Sequence, residues 1–553
     1  MNVFASKKRP KLLKKLANTT YDLLVIGGGA TGSGIALDAA SRGLSTALID
    51  KQDFAAGTSS RSTKLIHGGL RYLKQFEVAL VREVGRERAI VHKLAPHLVV
   101  SEKMLLPLIK GGTYGKLATS LGLMVYDVLA GVESVDQRVM LSKEESQELE
   151  PLLNEELLEG SGFYAEYRTD DARLSLEVLK TAALYGAHSA NYVEANDFVY
   201  EDKLVCGANC TDLLTGESFE IKAKQVVNAA GPWVDELREK NNSLEGKHLF
   251  LSKGVHIVLP HEKFPIKNSI YFDVPDGRML FAIPRGKITY LGTTDTPYKG
   301  NKENPRTYKE DVEYLINGLT HVFPSIQLKV EDVISSWAGL RPLIHEEGKS
   351  ASEISRKDEI FISDSNLVSI AGGKLTGYRK MAERVVDEVA DRLKRKYKIK
   401  SKKCKTHKII ISGGGYSSDE EVKSYIEKIS DRLESFNFDV YVAGYLVHNY
   451  GKQTDRIIDH FIEQENHTEF GLISSELWYG LNFEMVNAAM DFFSRRTGRL
   501  YFNIQSIKDH KEALLAIMRD HLGWSEERYQ QELKWVDQAV EEASHFPPEP
   551  QTT

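Results

Sequence analysis

The stretch Tyr21–Lys51 reads YDLLVIGGGATGSGIALDAASRGLSTALIDK. Leu23 to Ile26 form a short apolar run that predicts a strand entering Gly27-Gly28-Gly29-Ala30-Thr31-Gly32. An alanine-rich stretch of helical character follows, then the Arg42-Gly43 turn, then a second strand that ends at Asp50. This is the pattern of a dinucleotide-binding βαβ unit, and each part has a physical job. Gly27 permits the tight turn, Gly29 lets a pyrophosphate approach the backbone, and Gly32 lets the helix pack close to the strand. The helix N-terminus presents free N–H groups and the positive end of its dipole to phosphates. Asp50 falls roughly 20 residues beyond the glycines, where an acid accepts from ribose hydroxyls. The cofactor-binding candidates here are Gly27, Gly28, Gly29, Ala30, Thr31, Gly32, Asp50 and Lys51.

Working outward, Gly57 to Tyr72 reads GTSSRSTKLIHGGLRY, dense in hydroxyls, glycines and cations directly after the nucleotide strand. Such a composition suits a cleft lined for phosphate, with Thr58, Ser59, Ser60, Lys64, Leu65 and His67 as cofactor contacts and Arg71 and Tyr72 as pocket residues. Val226 to Trp233 (VVNAAGPW) is an apolar strand running into a small-residue turn, which places Gly231 and Trp233 where backbone passes a ligand. Leu367 to Leu393 repeats the opening logic: a strand, the turn Ala371-Gly372-Gly373-Lys374, then a helix, adding Gly373, Lys374, Leu375 and Thr376. The nucleotide-binding domain is therefore expected to be discontinuous, from residues 20–100, 160–235 and 357–394.

The remaining chain divides around it. Residues 101–159 and 236–356 are expected to form a second domain, with alternating patterns and frequent turns that predict antiparallel sheet. The basic stretch 395–408 reads as a linker, and 409–553 as a helical domain in which no chemistry motif stands out. A chain of 553 residues accommodates two or three such domains. A net charge of −6 argues against bulk nucleic-acid binding. Cys206, Cys210 and Cys404 are too few for a disulfide framework and fit a reducing compartment. No apolar run reaches the ~18–20 residues that span a bilayer. Residues 1–19 instead carry Lys7, Lys8, Arg9, Lys11, Lys14 and Lys15 around Leu12, Leu13 and Leu16. That pattern reads either as an amphipathic helix resting on anionic lipid or as a solvated basic tail.

These motifs, with GVHIVLP, LGTTDTPYKG, WAGLRPL and AGGKLTGYRKMAE, strongly resemble the FAD-dependent glycerol-3-phosphate dehydrogenases of the aerobic, respiratory type. They run in the family's order from about residue 20 to 385, and the C-terminal segment matches the family's helical domain in place and length. The resemblance implies an α/β fold: a Rossmann-like, doubly wound FAD domain, an antiparallel cap of the D-amino-acid-oxidase type, and a C-terminal α-helical domain. It implies oxidation of sn-glycerol 3-phosphate at C2 to dihydroxyacetone phosphate by hydride transfer to flavin N5, with electrons passed to a membrane quinone. It implies an enzyme of the cytoplasm, peripheral on the cytoplasmic face of the membrane, for which a homodimer is one open assembly. No histidine lies between Tyr21 and Thr58 to attach the flavin, so FAD is expected to be held non-covalently.

A phosphate dianion calls for fixed cations. Arg71, Arg341 and Arg356 are the candidates, since arginine is always charged and offers a planar fork to phosphate oxygens. The C2 hydroxyl calls for a base: His256 first, because imidazole accepts a proton near neutrality, and Lys374 second, as a group that could polarise the hydroxyl or offset negative charge on reduced flavin. Asp295, in Gly292-Thr293-Thr294-Asp295, reads either as a residue that orients a cation or as one that only closes a turn. The competing readings are a glycerol-3-phosphate oxidase that uses oxygen, an amino-acid or amine oxidase of the same fold, and a flavoprotein without catalytic activity.

Overall fold

The computed structural model describes residues 4–67, 78–112, 138–346 and 357–550. Two sheets organise it. The first runs in the order Glu359–Ile362, Val368–Ala371, Ser218–Asn228, Thr20–Ile26, Thr46–Ile49, His188–Ala190, with the hairpin Val193–Glu201/Leu204–Asp212 appended to Ser218–Asn228. Its centre is parallel: Val25 faces Val227 on one side and Leu48 on the other. A parallel sheet is covered on both faces, so its strands are apolar without alternation. Leu23, Leu24 and Val25 have no solvent exposure, and burial of each such side chain contributes about 1.5–3 kcal/mol.

The alanine-rich segment forms the helix Ala30–Ser41, wedged between Asp171–Leu184 and Tyr378–Tyr397. Small side chains permit that approach, since a Cβ on Gly34 would lie 3.0 Å from the Cβ of Ala382. Asp170 caps Asp171–Leu184, accepting from the Arg173 backbone N–H at 3.0 Å.

The second sheet is built on the long strand Lys247–Pro260, flanked by Ser335–Glu346 and Ile288–Gly292. It is antiparallel apart from the pairing of Ser269–Asp273 with Val100–Ile109, which is parallel. Leu158–Arg168 also lies in this sheet, paired along Val100–Ile109. Residues 160–168 thus sit with the cap sheet, whereas the sequence reading groups them with the nucleotide-binding segments. The pairing decides this, because a two-faced apolar strand carries no mark of which sheet it joins.

The N-terminus is neither a free tail nor a free amphipathic helix. Residues Arg9–Asn18 form a helix whose Leu16 is fully buried with Tyr21 and Leu24, and against which Leu12 and Leu13 also pack. Arg9 donates to Asp212 Oδ1 at 2.6 Å and to the Asn191 carbonyl at 2.7 Å. The apolar face is spent on the protein itself, and Lys7, Lys8, Lys11, Lys14 and Lys15 remain exposed. The C-terminal region is helical from Asp419–Glu434 to Glu526–Ser544. It has a core of its own around Val422, Leu446 and Phe461. Ile473, Leu477 and Phe492 extend a second cluster that includes Val258, Tyr290 and Trp337 of the cap sheet, so the helical region shares core with the rest of the chain.

Candidate active site

Three neighbouring parallel strands end at the same edge, and each delivers a turn there: Gly27–Gly29, Ala229–Gly231 and Gly372–Lys374. Ligands bind at such carboxyl ends where strand order reverses. A cleft of about 870 Å³ opens at this point, walled on the other side by the cap sheet.

The nucleotide wall is shaped by missing side chains. Gly27 has φ +113°, and a Cβ there would stand 2.4 Å from the Ala229 carbonyl oxygen. A Cβ on Gly32 would stand 1.8 Å from the Gly27 carbonyl oxygen. The helix Ala30–Ser41 makes its first intrahelical bond from the Ser33 N–H to Gly29, so the amides before it form a donor-rich end. One of these, on Ala30, donates to Ser59 Oγ at 3.0 Å. Asp50 accepts from the Gly28 N–H at 2.7 Å and the Gln52 N–H at 2.9 Å, and burial pushes its carboxyl up to about 6. A glycine cradle, a helix N-terminus and an acid at the next strand end together fit the diphosphate and ribose of FAD.

The cap wall carries His256 and Arg341 on paired strands. Arg341 donates to the Thr294 carbonyl and Asp295 Oδ1, each at 3.1 Å, and to Thr293 Oγ1 at 2.9 Å. Asp295, which itself accepts from Ser252 Oγ, thus orients a cation as the sequence suggests. Gly254 makes room, since a Cβ there would meet Arg341 Nη2 at 2.5 Å. His256 is buried, with Nε2 at 3.0 Å from Thr63 Oγ1 and its ring stacked on Trp337. Burial, then the charges of Arg341 and Lys64, hold its pKa well below 6.5, so the imidazole is neutral.

The other expected residues divide three ways. Ala30, Thr31, Lys51, Thr58, Ser59, Leu65, His67, Gly231, Trp233, Gly373, Lys374, Leu375 and Thr376 line the cleft, with Gly27, Gly29 and Asp50. Lys51 donates to Glu303 at 2.7 Å and lies over the Trp233 ring. His67 is edge-on to Phe281, and its pKa is lowered well below the usual value by burial, with Lys374 and Arg88 adding to the effect. Gly28, Gly32, Ser60 and Lys64 are not among the lining residues. Gly28 and Gly32 act from beneath, through backbone contact and close packing. Ser60 is buried, its hydroxyl turned toward the Gly57 carbonyl. Lys64, expected at the cofactor, points inward and pairs with Asp171 at 2.5 Å and Asp170 at 3.5 Å, because a buried ammonium needs carboxylates beside it. Arg71, Tyr72 and Arg356 lie outside the described residues.

Sequence reasoning missed Thr63 and Trp337, which hold the His256 ring from two sides. Both stand inside quoted motifs (RSTK and WAGLRPL), but their apposition comes from pairing between distant segments. Glu303, which accepts from Trp233 Nε1 at 2.9 Å, carried no local signal at all.

The model of the FAD dependent oxidoreductase family matches residues 22–378, and that of the C-terminal domain of alpha-glycerophosphate oxidase matches residues 404–529. The aerobic glycerol-3-phosphate dehydrogenase of Bacillus subtilis (strain 168) is 49% identical over 528 residues, 95% of each chain. The chain belongs to the aerobic glycerol-3-phosphate dehydrogenase family. A family member from Staphylococcus aureus (strain MRSA252) is likewise 49% identical, over 97% of each chain. The solved glycerol-3-phosphate dehydrogenase from Bacillus halodurans, complexed with FAD, superposes with a TM-score of 0.84 at 42% identity over the whole of both chains. Within this dehydrogenase family the cofactor is FAD, which agrees with the cradle built by Gly27, Gly32 and Asp50.

Proposed function

We propose that this FAD enzyme oxidises sn-glycerol 3-phosphate at C2 to dihydroxyacetone phosphate and passes the electrons to a membrane quinone. The observation that carries the reading is the pairing, on one wall of the cleft, of a fixed guanidinium (Arg341) with a buried neutral imidazole (His256). A phosphorylated alcohol requires both: a cation for the phosphate and a proton acceptor for the hydroxyl.

Arg341 is held by Thr293, Thr294 and Asp295, so little side-chain entropy remains to be lost when it grips phosphate oxygens. His256 takes the proton from the C2 hydroxyl. Its depressed pKa keeps it unprotonated and ready in the free enzyme; a docked dianion offsets the field of Arg341 and raises its basicity. Lys374, in the turn at the end of Val368–Ala371, supplies positive charge on the opposite wall. Bound FAD supplies the two-electron acceptor for the hydrogen that leaves C2. Arg71, Tyr72 and Arg356, which lie outside the described residues, are proposed substrate contacts on the strength of the family resemblance alone.

Contact with the membrane surface is proposed to be electrostatic. None of the described helices is long and apolar enough to cross a bilayer, the leucines of Arg9–Asn18 pack on the protein, and the exposed lysines are what remains to face anionic lipid.

The test is anaerobic stopped-flow absorbance of the flavin on mixing with glycerol 3-phosphate. Rapid bleaching supports the substrate and site together. No bleaching, with amino acids tried in parallel, overturns the substrate. Reoxidation by a soluble quinone is then compared with oxygen, since the match to an alpha-glycerophosphate oxidase C-terminal domain favours oxygen as the second reading. Faster turnover with oxygen would assign the electrons there.

A further inference from the structure

The loop that follows the ribose-facing acid is clamped from the far end of the chain. Asp53 stands three residues beyond Asp50 and is fully buried. Its Oδ2 accepts from Arg495 Nε and Arg496 Nη1, each at 2.5 Å, and its Oδ1 from Arg496 Nη2 at 2.9 Å and Asn191 Nδ2 at 2.8 Å. The arginines are over 440 residues away in sequence and belong to the C-terminal helical region. Arg495 also reaches Asp491 Oδ1 at 2.8 Å, and Arg496 donates to the Glu484 carbonyl at 2.8 Å. This anchors the pair within its own domain.

The same loop forms a wall of the cofactor cleft. Asp50, Lys51, Gln52, Ala55 and Ala56 line it, and the Ala55 N–H donates to the Gly28 carbonyl at 3.0 Å. Displacing Asp53 therefore displaces Asp50 and the glycine turn together. A buried carboxylate stripped of its partners must regain water or a proton, and the hydrogen bond from Ala55 to Gly28 passes any shift of the loop on to the glycine turn.

We propose that Arg495 and Arg496 are positioning residues for FAD, and that the C-terminal helical domain serves the cofactor site by fixing the Asp50–Gly57 loop through Asp53. The role rests on the FAD cradle alone and is independent of substrate and electron acceptor.

The experiment measures FAD release from the holoenzyme, by recovery of flavin fluorescence on dilution, together with the melting temperature. Arg495→Gln is the main variant because its side chain, 11% exposed, sits at the edge of the cluster. Lys180→Gln is the control. Lys180 bridges Glu177 and Glu484 at 2.9 Å between the same two regions and touches no residue of the loop. The expected result is FAD affinity weakened about 10–100-fold in Arg495→Gln, the scale on which outer partners of a bound group act. Arg495→Lys should recover most of it by restoring the charge. In Lys180→Gln the melting temperature falls while FAD affinity stays within about twofold of the parent, since Lys180 holds Glu484 only by its carboxylate, whereas Arg496 is held by the Glu484 backbone carbonyl and Arg495 by Asp491. Should Arg495→Gln not fold, Asp53→Asn replaces it and is expected to release FAD faster for the same reason. Unchanged FAD release in the folded variants, or equal loss of FAD in Arg495→Gln and Lys180→Gln at matched loss of stability, overturns the proposal.

Discussion

The imidazole of His256 lies flat on the indole of Trp337, with ring centroids 4.7 Å apart and planes 10° from parallel. Trp337 in turn donates from Nε1 to the Ser62 carbonyl at 3.0 Å, and the neighbouring Thr63 holds His256 Nε2. One short segment of the nucleotide domain thus aligns both rings of the cap sheet. Replacing His256 with Ala is expected to slow flavin reduction about 10²–10⁴-fold, the usual worth of a general base. A near-normal rate in stopped flow would shift the role to Lys374.

The pH dependence follows from the same burial. The working form of His256 is the neutral one, and its folded pKa is lowered by burial, Arg341 and Lys64. kcat/KM should therefore rise with pH, with a midpoint below 6.5, and be flat through neutrality. A midpoint above 7 in the pH profile would be incompatible with this imidazole as the base of the free enzyme.

Arg341 owes its direction to Asp295 and Thr293. Asp295→Asn keeps the size but weakens the hold, so KM for glycerol 3-phosphate should rise about tenfold while kcat changes little, as expected when ground-state and transition-state binding fall together. Steady-state kinetics with saturating acceptor decide it; a fall confined to kcat would mean that Arg341 acts on the reacting carbon and not on the phosphate.

Lys64 is buried between Asp171 and Asp170. Lys64→Met leaves Asp171 buried without its ammonium and should cost about 3–5 kcal/mol in a urea unfolding series, the usual penalty for breaking a buried pair. Loss of FAD affinity without loss of stability would return Lys64 to the cofactor site.

Gly32→Ala should yield protein without flavin. The added Cβ would meet the Gly27 backbone carbonyl oxygen at 1.8 Å; its direction is fixed by the helix backbone, so neither atom can yield without opening the turn. The ratio of flavin to protein absorbance after purification reports it directly.

Much of the nucleotide wall was legible because it is local. The strand Thr20–Ile26, its glycine turn and the helix Ala30–Ser41 follow one another in sequence, and a turn that needs positive φ admits glycine and little else. The inward turn of Lys64 was not legible, since its partner Asp171 stands 107 residues away. Nor was the docking of Arg9–Asn18, because an amphipathic pattern states that a face will be covered and says nothing of what covers it.

By itself, the sequence determined the elements whose physics is local: periodicity, turn chemistry, and the order of motifs that matches a flavin-dependent dehydrogenase family. Tertiary structure alone decided which side chains share a site. Arg341 meets Asp295 across 46 residues, His256 meets Thr63 across 193, and Arg496 meets Asp53 across 443. Charge, burial and basicity arise from those meetings. A buried ion finds its partner wherever folding brings opposite charge within reach, and spacing along the chain carries no record of that choice.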